Sequence, residues 1–249
     1  MRIGVLADIH GNLRALAAVQ KDLRSHSPDL VVNLGDHLSG PLQAADTADA
    51  LMSEKYVHIR GNHDRQLLDR PIEEMGASDR AAYAQLESRH KVWLQSLPPT
   101  LELERDILLC HGSPGDDLQY MTEEVMENGI VLASAEKIAD RLGEVGRGLV
   151  LCGHSHIPRV VSLSRGVQIV NPGSVGLQAY DDTRPFPHCM ETGSPHARYA
   201  VIDRERNGWR INLLAVEYDW RAASEDARKG NRPDWAHALE TGYALRTAL

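Results

Sequence analysis

The sequence is short of aromatic bulk: Phe186 is the single phenylalanine among 249 residues that are 42% hydrophobic. A core must therefore be built mainly from Leu, Ile, Val and Ala, and the chain is long enough to bury a substantial one. Cysteine is scarce too. Cys110, Cys152 and Cys189 are odd in number and lack a disulfide-framework spacing, which fits a reducing compartment. There is no basic excess: 27 Lys and Arg against 35 Asp and Glu leave a net charge of −8. That balance, with no Arg-rich stripe, excludes a general nucleic-acid-binding surface. No apolar run approaches the roughly 18 residues needed to cross a bilayer, so no membrane partner is expected. The opening Met1–Ala7 reads as a strand and not as a leader, and the expected location is the cytoplasm.

What the sequence does have is a series of short polar motifs, each just after an apolar run. They are Asp8-Ile9-His10, Gly35-Asp36, Gly61-Asn62-His63-Asp64, His111-Gly112 and Gly153-His154-Ser155-His156. Imidazole, carboxylate and amide oxygens in this mixture suit Mn²⁺, Fe²⁺, Co²⁺, Ni²⁺ or Zn²⁺, with Mn²⁺ favoured here. A site for two divalent metal ions also needs one group that touches both, at about 3.5–4 Å separation. Asp36 is the isolated carboxylate that can do so. Alternate residues of an extended segment share a side, so Asp8 with His10, and His154 with His156, can each face one ion. Asn62 adds a neutral oxygen and His111 another imidazole. Two such cations polarise a phosphoryl oxygen and acidify a bridging water. The departing alkoxide then needs a proton, which His63 can supply with Asp64 orienting its ring.

Other residues carry weaker signals. His26, His37, His58, His90, His196 and His237 lack paired ligand spacing and read as surface or satisfied core residues. Cys110 and Cys152 each precede a motif, but strand alternation turns them to the opposite face as small buried hydrophobes. Asn12 reads first as the N-cap of a following helix and second as a substrate contact. His188 is a candidate substrate contact, and Asn171-Pro172-Gly173-Ser174 is a turn that could support the His154/His156 segment.

Periodicity predicts α/β organisation in a single domain spanning residues 1–249. Strands at Arg2–Ala7, Leu30–Leu34 and Tyr56–Ile59 alternate with helices at Leu13–His26 and Gln43–Glu54, and one longer helix spans Ser78–Leu97. Leu101–Glu104 and Ile107–Cys110 form a hairpin around Arg105-Asp106. Thr122–Leu142 reads helical, weakened at Gly129. Leu149–Cys152, Arg159–Leu163 and Val167–Val170 read as strands, and a hairpin turns at Asn207-Gly208. Helices at Trp220–Lys229 and Asp234–Thr247 occupy the C-terminal region, about 220–249. Tyr180–Pro195 has three prolines and no period, and is expected to be a long irregular loop acting as a lid or rim.

The motif set resembles the calcineurin-like metallophosphoesterase superfamily, and within it the small bacterial phosphodiesterases. The resemblance rests on Asp8-x-His10, Gly35-Asp36, Arg60-Gly61-Asn62-His63-Asp64, His111-Gly112-Ser113-Pro114, Gly153-His154-Ser155-His156 and Asn171-Pro172-Gly173-Ser174. It implies a four-layer α/β/β/α sandwich with Asp8, His10, Asp36 and His156 around one metal. Asp36, Asn62, His111 and His154 surround the second, and His63 is the catalytic histidine. The Asp-Arg-Gly of the protein phosphatase branch is missing, since His37-Leu38-Ser39-Gly40 follows Gly35-Asp36. The implied activity is metal-dependent phosphodiester hydrolysis through a metal-activated hydroxide, acting on a small-molecule phosphate ester. A phosphomonoesterase, or a non-catalytic scaffold of the same fold, is the alternative. A homo-oligomer is compatible with everything above.

Overall fold

The structure, a computed structural model, describes residues 1–104, 106–144, 148–206 and 208–246, the Arg165 side chain aside. The first half contains β1 (Arg2–Leu6), α1 (Leu13–Ser25), β2 (Leu30–Asn33), α2 (Ala44–Met52), β3 (Val57–His58), α3 (Asn62–Asp69), α4 (Ala77–Tyr83) and α5 (Ser88–Ser96). Then come β4 (Leu101–Leu103), β5 (Ile107–Leu109), β6 (Glu123–Met126), β7 (Gly129–Leu132), α6 (Ala135–Leu142), β8 (Leu149–Leu151), β9 (Arg159–Ser162) and β10 (Gln168–Asn171). The last elements are β11 (Ala179–Asp182), β12 (His188–Glu191), β13 (Ala197–Glu205), β14 (Gly208–Val216), α7 (Trp220–Lys229) and α8 (Pro233–Thr241).

Two five-stranded mixed sheets, ordered β14-β13-β1-β2-β3 and β4-β5-β8-β10-β9, pack face to face. Strand alternation builds the layers. Ile3, Val5 and Ala7 of the first sheet meet Ile107, Leu109, Leu149 and Leu151 of the second in an aliphatic inner core. The intervening Leu6 turns outward to Leu16 and Val19 of α1, while Leu108, Cys110, Val150 and Cys152 turn outward to Ile138 and Leu142 of α6. The result is a four-layer α/β/β/α sandwich. The buried residues of its inner core are all Ile, Val, Leu or Ala, with partly buried Trp209 packed against them, and Phe186 stays 39% exposed.

Several expectations are corrected. Thr122–Leu142 is a hairpin followed by a helix: Gly129, at φ 129°, follows Asn128 in a tight turn, and Ser134 caps α6 by accepting from the Lys137 N–H. Tyr180–Pro195 is not irregular, because β11 and β12 pair from Ala179↔Glu191 to Asp182↔His188. Two of its prolines sit in the turn and the third follows β12, so they frame strands instead of breaking them. The Ser78–Leu97 helix is split into α4 and α5, and at the break the Gln85 side-chain amide accepts from the Ala44 N–H and donates to the Leu42 carbonyl. The last helix ends at Thr241, where Gly242 takes the left-handed conformation at φ 72°. Arg105, Asn207 and Thr247, which belonged to expected turns and a helix end, lie outside the described residues.

Candidate metal centre

The loops leaving the carboxyl ends of β1, β2, β3, β5 and β8 converge between the two sheets. Their backbones tie to one another: the Asp8 N–H donates to the Gly35 carbonyl at 3.0 Å, His10 to Asp36 at 3.0 Å and Gly153 to His111 at 2.7 Å. The expected extended geometry of the i, i+2 pairs is not what brings them together. Asp8, His10, Asp36, His154 and His156 all have left-handed backbones, with φ between 52° and 67°. Such strain in non-glycine residues persists only where surrounding structure enforces it, and it gathers at functional sites.

Two groups of side chains result. Asp8, His10 and His156 present donor atoms within 4.8 Å of one another, as do Asp36, His111 and His154. Asp36 lies between them, with Oδ2 3.3 Å from His111 Nε2 and 3.9 Å from His10 Nε2. Asn62 Oδ1 is 3.0 Å from His111 Nε2. The His111 and His154 rings, drawn from different loops, have centroids 5.2 Å apart.

The histidine tautomers test whether a cation fits. His10, His111 and His156 each donate Nδ1–H to a carbonyl, of Ser39, Leu34 and Leu177 respectively, at 2.7–2.8 Å. In neutral His10 and His156 this leaves two Nε2 lone pairs facing each other at 3.2 Å, an arrangement that repels unless a cation lies between. His154 is reversed: its Nε2 bonds the Leu118 carbonyl at 3.1 Å and frees Nδ1. Burial, reinforced by His156, holds His10 down to about 4, and burial with His111 does the same to His154. Burial also pushes His111 down, but Asp36 and Asp8 outweigh it and raise it to about 10. A divalent cation competes with that His111 proton for the same lone pair, so binding releases it. The residues fit two divalent cations.

Around this centre the structure reassigns three residues. Asp64 does not orient His63. It accepts from the Asp36, His37 and Gly61 N–H groups at 2.8–3.0 Å and from His37 Nδ1 at 2.7 Å, so it holds the Asp36 loop. Gly61 is required there, since a Cβ would lie 2.3 Å from Asp36 Oδ1. The partner of His63 is Asp79 on α4, whose Oδ1 accepts from His63 Nδ1 at 2.8 Å and from Ser39 Oγ at 2.6 Å. Burial lowers His63, yet Asp36 and Asp79 prevail and raise it to about 9. No motif announced Asp79, because it lies outside the motifs on a separate helix.

Asn12 is fully buried, caps α1 through the Ala15 N–H and donates to the Gly176 carbonyl, so it cannot reach a substrate. His188 is 7% exposed and bonds the Tyr120 hydroxyl at 3.1 Å, while Tyr120 stacks on His154 at 4.8 Å. It therefore backs the cavity wall and does not line it. Asn171 donates to the Gly153 carbonyl at 2.7 Å, and Ser174 Oγ to the Asp8 carbonyl at 2.7 Å, bracing both ligand-bearing loops. Cys110 and Cys152 are buried as expected, and burial pushes the Cys110 thiol up to about 12. His63, with His10 and His156 of one group and Asp36 and His154 of the other, lines a cavity of about 960 Å³.

Comparisons with known proteins give the family and the fold. The model of the calcineurin-like phosphoesterase superfamily domain matches residues 1–191, and the chain belongs to that superfamily. An uncharacterized protein of Methanocaldococcus jannaschii is 24% identical over 248 residues, 94% of each chain. A metallophosphoesterase from Sphaerobacter thermophilus superposes with a TM-score of 0.73 at 24% identity, covering 96% of this chain and 98% of its own. A hypothetical protein from Pyrococcus horikoshii gives 0.73 at 18% identity, covering 98% and 99%. The superfamily makes the chain a phosphoesterase-type hydrolase with a divalent metal centre.

Proposed function

We propose that the protein hydrolyses phosphodiesters of small molecules using two divalent cations, one among Asp8, His10, Asp36 and His156, the other among Asp36, Asn62, His111 and His154. The observation that carries this reading is the facing pair of Nε2 lone pairs beside a carboxylate placed between both groups. Cations bound there would supply Lewis acidity toward a phosphoryl oxygen and acidify a coordinated water. The protein's own part is to position and to move one proton. With Nδ1 fixed on Asp79, His63 keeps Nε2 for the cavity and can protonate the departing oxygen.

Two features support a diester over a monoester. The cavity is at the upper end of the usual range for ligand sites and extends well beyond the room a single phosphate needs. The Asp-Arg-Gly of the protein phosphatase branch, whose arginine contacts phosphate, is missing after Gly35-Asp36, and His37 is buried against Asp64, so this segment offers no guanidinium to a dianion. Turnover of bis(p-nitrophenyl) phosphate and p-nitrophenyl phosphate by the Mn²⁺-loaded protein tests the reading. The diester should have the higher kcat/KM. A faster monoester overturns the diesterase assignment, and no turnover of either with any of the five metals makes the chain a binding scaffold.

A further inference from the structure

One wall of the cavity is a single face of α3. His63, Gln66 and Arg70, the last being the C-cap just past Asp69, all line the cavity, and their spacing of three and seven residues sets them along one side of the helix. At 1.5 Å per residue, Arg70 lies about 10 Å along the axis from His63. The two residues beyond His63 are uncommitted. Gln66 is 5% exposed, and among the described residues its side-chain amide has no partner, which leaves it open to the cavity that it lines. Arg70 makes no side-chain hydrogen bond or ion pair among the described residues.

The other cavity arginines differ. Arg141 is spent on the carbonyls of Tyr120, Met121 and Glu123, and Arg232 on Asp234 and Ser78. Arg184 is free and exposed like Arg70, but it stands at the hairpin tip with no helical register relating it to His63.

We infer that Gln66 and Arg70 form a leaving-group subsite, so that the preferred substrate is a phosphodiester whose leaving group carries a second anion. The inference rests on the phosphoesterase reading above, because His63 marks the leaving-group side. Gln66 offers an amide donor and acceptor to a polar group midway, and Arg70 offers a fixed fork to a carboxylate or phosphate at the far end. The axial offset of about 10 Å between His63 and Arg70 leaves room for a sugar-sized group between the scissile phosphate and the second anion. In an acidic protein, the unpaired guanidinium of exposed Arg70 at the cavity rim gives such a ligand one local attraction.

Two methyl aryl phosphodiesters with leaving groups of matched acidity test this, one bearing a tethered carboxylate and the other its methyl ester. The wild-type protein loaded with Mn²⁺ should prefer the carboxylate in kcat/KM by at least about tenfold, as expected for a charge-assisted hydrogen bond. Arg70→Gln should bring that ratio close to one, Arg70→Lys should keep part of it, and Gln66→Ala should lower kcat/KM for both esters. Calorimetry with the free carboxylate-bearing phenol should show tighter binding to wild type than to Arg70→Gln. An equal ratio in wild type and Arg70→Gln, or equal phenol binding, overturns the subsite. If neither diester turns over while p-nitrophenyl phosphate does, the diesterase reading fails, and the phenol titration still decides the subsite.

Discussion

Asp64 and Asp79 each face a histidine, yet they hold different things, and substitution should separate them. Asp64→Ala strands three backbone N–H groups and the His37 imidazole in a buried setting. At about 1–3 kcal/mol for each lost acceptor, and allowing for incomplete additivity, the variant should lose at least about 3 kcal/mol of stability in urea unfolding. Wild-type stability in that experiment would remove the bracing role. Asp79→Asn keeps a possible hydrogen bond to His63 but removes the charge. We expect kcat to fall roughly tenfold, with metal content unchanged by elemental analysis. His63→Ala should cost about 10²–10⁴ in kcat, least for nitrophenolate and most for alkyl leaving groups, whose alkoxides need the proton. Equal losses across leaving groups would point instead to a role at the phosphoryl oxygens. Asp36→Asn should deplete both cations, and full metal content in that variant would deny Asp36 its shared position. These candidate ligand residues were legible in the sequence because each sits in a short motif at a strand end. Asp79 was not, because its partnership arises only when α4 packs against the start of α3.

At the scale of elements, the β11–β12 hairpin is the part sequence reading missed most. Its charged strand ends and prolines concealed a two-residue alternation that shows in the burial of His188 and Met190 against the half-buried Cys189 and Glu191. The inner strands were easy to recognise because they are continuous aliphatic runs buried on both faces. The hairpin also changes what can be removed. Deleting through Ser194 would strip fully buried Met190 from its packing and unfold the region. Replacing Thr183–Pro187 by Asn-Gly should preserve the Asp182↔His188 pair while removing Arg184 and Pro185 from the cavity rim. The expected outcome is an altered KM or substrate ranking with melting temperature and metal content retained. Unchanged kinetics across several diesters would make the tip a passive connection.

Across the whole molecule, the centre joins what the chain keeps far apart in sequence. Asp8, His10, Asp36 and Asn62 hang from the first sheet, whereas His111, His154 and His156 hang from the second. Cations bound between them should therefore stabilise the packing of the two sheets. At a free ion concentration one hundredfold above Kd, each contributes about 2.7 kcal/mol. Treatment with a chelator should lower the melting temperature by several degrees, and Mn²⁺ should restore it; a melting temperature indifferent to both would argue against cation binding.

The strand alternation that sends Leu109 and Leu151 to the inner core also hides two thiols. Cys110 and Cys152 face the α6 side with no exposure, and burial suppresses the thiolate that an alkylating reagent attacks. Cys189 alone is partly open to solvent. Iodoacetamide should thus label the native chain once, slowly, and the denatured chain three times. The second and third labels would then record the opening of the second sheet's outer layer, giving a mass-spectrometric clock for unfolding that needs no optical probe.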